Sequence, residues 1–318
     1  MEKYLHRCLD SLIIAEKEML QLEVLIINDG SKDSSLQIAH EYQNRFPNTF
    51  RVIDKENGNY GSCINCGLQK ASGEYVKVLD ADDWFDKNAL QRYIQIIDKY
   101  KADLILNDFD IVDNSGKIIE NKRYSLYGIK SESVIDIESF LTSTNNFYGQ
   151  MHGFCYRLSI LKEMGYKQTE GISYTDQEWV MLPFYHIRNI LYIHENVYKY
   201  VIGREGQTMS SVKDKSILQL MEVILNMSKF YQDHECNNIV CTYALNQIMH
   251  QLNFIYLYGL IKESYDKKLI TWFDKQLQEY SEVYKKTQQI SWKKIKYVKY
   301  WQRRNHHLPS MIKLLLRL

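Results

Sequence analysis

The sequence predicts an α/β chain, a mostly parallel sheet flanked by helices, with a C-terminal helical extension. Three observations predict it. Short apolar runs rich in β-branched residues alternate with amphipathic segments up to about residue 107. Two of those runs end directly in acidic residues. From about Lys215 onward only helical spacing remains. The chain has 318 residues, 45% hydrophobic and 25% charged, which suffices for one large domain or for one domain plus an appendage.

Each element follows from its residues. Tyr4, Leu5, Cys8, Leu9, Leu12 and Ile13 recur at helical spacing. Glu23 to Asn28 is a buried strand stopped by the Asp29-Gly30-Ser31 turn. Ser31, Asp33 or Ser34 caps the next helix, whose inner face is Leu36, Ile38, Ala39 and Tyr42. Arg51 to Asp54 is a short strand, residues 57–61 are a loop, and a helix then runs to about Ala71. Tyr75 to Leu79 is a strand ending in Asp80-Ala81-Asp82-Asp83; Asp86 opens a helix to about Tyr100, and Asp103 to Asn107 is again a strand. Beyond Phe109, Asp113 to Gly116 is a turn between short strands. Gly153 to Arg157 and Val197 to Ile202 are strands, and Asp176 to His186 is a helix. A boundary falls near residues 205–215, dividing 1–208 from a helical region 209–318.

The totals also exclude. A net charge of +1 provides no field that selects nucleic acid. The opening MEKYLHRCLDSL carries charges where a signal peptide needs an apolar core, and no apolar run reaches the roughly 18 residues of a membrane span. Both point to a cytoplasmic protein. The six cysteines are expected to be reduced and mostly buried, and Cys63 and Cys66 share a helix face without a second zinc-type pair.

In open α/β sheets ligands bind outside the carboxyl ends of strands. Asp29, and the trio Asp80, Asp82 and Asp83, stand at two such ends. Carboxylates gathered at one sheet edge repel one another unless a cation sits between them, and Mg²⁺ or Mn²⁺ favours such oxygen ligands. The opposing reading is that acidic residues are common in turns because they cap well.

The run from Glu23 to Ser31 with Asp33-Ser34-Ser35 resembles the nucleotide-binding turn of the inverting glycosyltransferases of family 2. Asn57-Gly58-Asn59-Tyr60-Gly61, with Asn65, Gly67 and Gly73-Glu74-Tyr75, resembles that family's loop-helix-strand passage. Leu79-Asp80-Ala81-Asp82-Asp83 resembles its D-x-D motif. The likeness is tight to about residue 110, looser to about 205 and weak beyond.

The resemblance implies a GT-A-like fold of the bacterial cell-surface glycan type. It implies transfer of a sugar from a nucleotide-diphosphate donor to an acceptor hydroxyl of a glycan or lipid-linked molecule. Asp29, Gly30, Ser31 and Asn57 would hold the nucleotide, and Asp80 the ribose or a metal-bound water. Asp82 would hold Mn²⁺ or Mg²⁺. Independently of the resemblance, Arg204 follows a strand and either reaches the diphosphate, whose oxygens a guanidinium matches, or is an ordinary surface arginine in a turn. Asp176 would be the base, with Glu178 as a competitor and Thr175 where the family has a leading acid. His152, Glu178 and Trp179 would line the acceptor side, with a core role equally open for Trp179. The family's usual first strand and its Pro-x-Tyr-Asn turn fall before Met1. Their absence would leave a central sheet position empty.

Residues 289–318 carry Lys293, Lys294, Lys296, Lys299, Arg303, Arg304, Lys313 and Arg317 with no acid, interleaved with Trp292, Tyr297, Tyr300 and Trp301. Such a helix suits an anionic membrane surface, and equally a helix packed on its own domain. Two other functions share parts of the pattern. An aspartate-nucleophile phosphatase would use Asp80 to attack phosphorus, and a non-catalytic relative would only bind a nucleotide-sugar.

Overall fold

The computed structural model describes residues 1–124, 128–144, 147–204, 214–234, 238–261, 267–289, 296–304 and 306. The chain divides into two compact units, Met1–Ser211 and Val212–Leu318.

Unit one opens with α1 (Glu2–Asp10), α2 (Glu16–Met19), β1 (Val24–Asp29), α3 (Ser35–Arg45), β2 (Phe50–Lys55) and α4 (Asn59–Lys70). β1 and β2 pair in parallel as a two-stranded sheet, with α3 against β2 and α4 against β1. Next come β3 (Tyr75–Val76), β4 (Trp84–Phe85), α5 (Lys87–Ile97) and β5 (Leu104–Val112). Asp86 caps α5, its Oδ1 accepting from Ala89 N at 2.9 Å. Ala89, Leu90, Tyr93 and Ile94 are the buried residues of this helix, which packs on the last strand of the unit. The unit continues through β6 (Ile118–Lys122), β7 (Ser133–Asp136), α6 (Ile137–Thr144), β8 (Phe154–Arg157), α7 (Leu158–Glu163), α8 (Asp176–Met181) and β9 (Asn189–Val201).

The larger sheet runs β3-β8-β5-β9-β4, with β6 on β5 and β7 on β9. The mostly parallel sheet expected holds for β1–β2 and β5–β9, whereas the other pairs among the described residues are antiparallel. Short hairpins and returning strands, such as β5–β6, bring antiparallel neighbours that strand-helix alternation does not predict.

β9 begins eight residues before the strand read from sequence. Its middle, His194-Glu195-Asn196, breaks the apolar pattern, yet each polar side chain has a partner. His194 Nδ1 meets buried Asp108 at 2.6 Å, Glu195 takes Arg92 at 2.6 Å, and Asn196 meets Asp110. The β5–β9 register shifts at this point, between Asn107 and Phe109. β3 is shorter than expected, because only Tyr75 and Val76 hold a ladder. Asp176–His186 is an α-helix to Met181 and a 3₁₀ turn after it.

Unit two contains α9 (Asp214–Asp233), α10 (Ile239–Ile261), α11 (Lys267–Leu277), α12 (Ser281–Gln289) and α13 (Lys296–Arg303). Buried Asp274 accepts from Tyr256 Oη and Gln302 Nε2, both at 2.6 Å, and meets His306 Nε2 at 2.8 Å, which ties α10, α11 and α13 together. Val298 and Trp301 of α13 are buried, Trp301 lying against Tyr256 and His306. This aromatic residue of the basic tail therefore packs within its own unit. Trp292, Lys293, Lys294, Lys313 and Arg317 lie outside the described residues, as do Glu205 to Thr208. No described helix is long and apolar enough to cross a membrane. Cys8, Cys63, Cys66 and Cys155 are free thiols, whereas Cys241 is disulfide-bonded, against the expectation that all are reduced.

Candidate active site

The first half of the site is the turn after β1 and the loop after β2. Asp29 Oδ1 accepts from Lys55 Nζ at 2.6 Å and Gly58 N at 2.9 Å. Its Oδ2 accepts from Asn59 N at 3.0 Å and Asn57 Nδ2 at 3.2 Å. Burial pushes the Asp29 carboxyl up, but the Lys55 ammonium and the loop N–H groups outweigh it and leave the pKa below its ordinary value. One carboxylate thus shapes the whole loop, with its acceptor positions filled by the chain's own donors. Gly30 stands at φ +67°, and a Cβ there would lie 3.1 Å from Asn57 N. Ser31 is exposed beside it.

Loop 168–171 is fastened to this half. Gly171 N donates to Gly58 O at 3.0 Å, Asn59 Nδ2 to Gly171 O at 2.8 Å, and Asn65 Nδ2 to Gln168 O at 2.9 Å. Gly61 makes the approach possible, since a Cβ there would fall 1.9 Å from Thr169 O. This loop leads into α8, the helix that begins at Asp176.

The second half is the acidic turn after β3. Asp83 is buried: Val201 N donates to its Oδ1 at 2.8 Å and Tyr198 Oη to its Oδ2 at 2.7 Å. Tyr198 Oη also accepts from Asp80 N at 3.2 Å, so one phenol holds both residues. Asp82 pairs with Arg204 Nε. Burial, then Asp82 and Asp176, push Asp80 up to about 7, with Arg204 pulling the other way. Burial, then Asp80 and Asp82, push Asp83 up to about 8. Burial also raises Asp176, against a hydrogen bond from Gln177 Nε2 at 2.8 Å. Tyr200 feels Asp83, Asp176, Asp80 and Asp82 together, and Tyr60, on the first turn of α4, feels Asp80 and Asp176. The fold therefore gathers four carboxylates and one guanidinium from widely separated positions in the sequence.

The sequence-predicted residues divide into two groups. Asp80, Asp82, Asp176 and Arg204 converge. Asp29, Gly30, Ser31 and Asn57 form the adjoining loop, connected through α4 and Tyr60. Glu178 and Trp179 are buried. The Glu178 carboxylate accepts from Thr169 N at 2.8 Å and Thr169 Oγ1 at 2.6 Å and is buried. Trp179 is 2% exposed, with Tyr156 and Tyr166 edge-on to its ring, and its carbonyl accepts from Tyr156 Oη at 3.0 Å. Both anchor α8 and so aim Asp176. Their place on the inner side of a short helix follows from packing that sequence does not display. His152 is also buried, set among Tyr198, Tyr200 and Phe109. One of its ring nitrogens lies within 4.8 Å of carboxylate oxygens of Asp80 and Asp83.

Sequence reasoning missed Lys55, Tyr60, Tyr198 and Tyr200. Tyr198 and Tyr200 sit two apart on a strand and share a face, which is the signal that would have found them. Asn59 and Tyr174 both adopt positive φ (67°) at the entries to α4 and α8, so the backbone is strained on both sides of the site.

The donor set suits a divalent cation. Among the described residues, one ligand atom each from Asp80, Asp83 and His152 lie within 4.8 Å of one another. His152 Nδ1 is buried with no hydrogen-bond partner, an arrangement that ordinarily costs about 1–3 kcal/mol.

Comparisons with known proteins agree with this architecture. A poly(ribitol-phosphate) β-N-acetylglucosaminyltransferase, TarS of Staphylococcus aureus, is 27% identical over 228 residues, 70% of this chain and 38% of that protein. The glycosyltransferase EpsH of Bacillus subtilis, a putative assignment in its own name, is 26% identical over 63% of this chain and 58% of that protein. The chain thus spans under two thirds of the length of these relatives. The crystal structure of S. aureus TarS 1–349 in complex with UDP-GlcNAc superimposes with a TM-score of 0.75, at 20% identity, over 99% of this chain and 87% of that one. That likeness establishes the GT-A fold. The model for glycosyl transferase family 2 matches residues 1–165, more than half of the chain, and the chain belongs to that family.

Proposed function

We propose that residues 1–208 are a catalytic domain that moves a sugar from a nucleotide-diphosphate donor to an acceptor hydroxyl with inversion, in cell-surface glycan synthesis. Residues 209–318 are its helical appendage. The observation that carries this reading is the convergence of Asp80, Asp82, Asp83 and Asp176 with Arg204 around Tyr200. Family membership supports the reaction class. A UDP-sugar is the donor to try first, because a relative of the same fold was crystallised with UDP-GlcNAc.

Asp176 takes the proton of the attacking hydroxyl. Burial raises its pKa, which makes it a stronger base than an ordinary aspartate. Gln177 orients its carboxylate, and Glu178 and Trp179 fix the helix beneath. The Asp29 loop holds the base of the nucleotide. Asn57, exposed and the longest of the four contacts to Asp29, is the partner that a base would displace. Arg204 turns from Asp82 to the diphosphate, where a guanidinium matches phosphate oxygens. A divalent cation on the Asp80–Asp83 turn would supply positive charge to the departing diphosphate. The phosphatase alternative lacks support, since the family match is to glycosyltransferases.

The test is nucleoside diphosphate release from a panel of UDP- and other nucleotide-sugars with Mn²⁺, with glycan and lipid-linked acceptors. Release that depends on acceptor and disappears in Asp176→Asn is expected. Binding without turnover across the panel would mean a non-catalytic relative.

A further inference from the structure

We propose that His152 is a nitrogen ligand of the divalent cation, completing a site with Asp80 and Asp83. The inference rests on the reading above that a cation belongs at the acidic turn, and it assigns the ligands differently from the D-x-D pattern.

Three observations carry it. First, a ring nitrogen of His152 and one carboxylate oxygen from each of Asp80 and Asp83 lie within 4.8 Å of one another. Second, His152 is 8% exposed and its Nδ1 has no hydrogen-bond partner. Buried ring nitrogens are normally satisfied, and this imidazole has an unsatisfied one while standing beside two carboxylates. Third, the imidazole is held in advance of any ligand. Tyr200 lies 4.2 Å from it between ring centroids, Tyr198 4.9 Å and Phe109 5.1 Å, and Lys77 Nζ donates to the His152 carbonyl at 2.9 Å.

Supporting groups fix the oxygen ligands in the same way. Tyr198 Oη donates to Asp83 Oδ2, and Val201 N to Asp83 Oδ1, leaving the remaining lone pairs of that carboxylate for a metal. Asp82, by contrast, is paired with Arg204. It is the residue that releases its partner when a diphosphate arrives.

A mixed nitrogen and oxygen set has a consequence for selectivity. Mg²⁺ favours an all-oxygen shell, whereas Mn²⁺ accepts an imidazole readily. The site should therefore prefer Mn²⁺ to Mg²⁺ by more than a carboxylate-only site would.

The test uses the full chain and Mn²⁺ alone. Electron spin-echo envelope modulation of the bound Mn²⁺ should carry the ¹⁴N coupling of a directly ligated imidazole. In His152→Phe, which suits an aromatic surround, the coupling should vanish and Mn²⁺ affinity should fall at least tenfold. Thermal melting without metal checks that this variant folds, and the wild-type spectrum stands without any variant. Bound Mn²⁺ lacking ¹⁴N coupling, unchanged affinity in His152→Phe, or no Mn²⁺ binding at millimolar concentration would each overturn the proposal. Failure of the parent reading looks different. Sugar transfer with no nitrogen coupling removes only the His152 assignment, whereas coupling with no turnover of any nucleotide-sugar removes only the transferase.

Discussion

Strands β5 and β1 are both apolar, but the molecule treats them differently. β5 is buried at every position except Ile111 and is paired along its length, with β9 on one side and β8 and β6 on the other. β1 pairs only with β2 among the described residues, and Val24, Leu25, Ile26 and Ile27 are half-exposed. β3, at one end of the larger sheet, is likewise half-exposed and among the described residues pairs only with β8. The closed region carries stability. The open edges end in Asp29 and in the acidic turn, where the chemistry is proposed. Turns at strand tips are where a ligand can reach an open sheet.

Four experiments break or sharpen this contrast. The largest effect is expected at the open tips: Asp176→Asn should lower turnover by about 10²–10⁴-fold, the usual worth of a positioned base. Its melting temperature should stay close to wild type; a large drop would make Asp176 structural.

Next come paired truncations. Phe154→Ala, at a fully buried position of β8, should cost about 3–5 kcal/mol in urea unfolding. Ile26→Ala on β1 should cost less than the roughly 2–5 kcal/mol of a fully buried isoleucine. Equal losses would mean that β1 is as closed as the centre.

A third change attacks the fastening between the two halves. Gly61→Ala forces a Cβ against Thr169 O, and overpacking of this kind costs about 1–3 kcal/mol. It should also weaken nucleotide binding, because loop 168–171 holds Gly58 and Asn59. Unchanged affinity in an equilibrium binding assay would disconnect the loop from the site.

The smallest effect is on pH. Asp80 and Asp83 have folded pKa values above their unfolded ones, so the folded chain holds their protons between the ordinary carboxylate range and about 7–8. Unfolding releases those protons, and these two groups lower stability as pH rises through that window. Asp29 has the opposite sign: its contribution is present above the ordinary carboxylate pKa and is lost as pH falls through its lowered value. Melting temperatures between pH 5 and 8 should fall less steeply in Asp80→Asn than in wild type. Parallel curves would sink this assignment.

Much of the fold was legible before any coordinates. Strand-helix alternation located β1, β2, α3, α4 and α5, and the D-x-D-like turn stood out because carboxylates gathered at strand tips are electrostatically costly. The long β9 was not legible, since His194, Glu195 and Asn196 look like a loop until Asp108, Arg92 and Asp110 are seen to partner them. Glu178 and Trp179, candidates for the acceptor side with a core role for Trp179 equally open, are buried. Residues two and three positions after Asp176 are near it along the chain, but a single helical turn points them inward while Asp176 faces the acidic turn.

By itself the sequence determined which residue types could do chemistry and on which local elements they stand, because periodicity, turns and capping are short-range. Only the tertiary structure decided which of them meet. Asp80, His152, Asp176 and Arg204 are brought together by strand order and by the packing of Tyr198 and Tyr200. Convergence of that kind depends on long-range register, which no local pattern encodes.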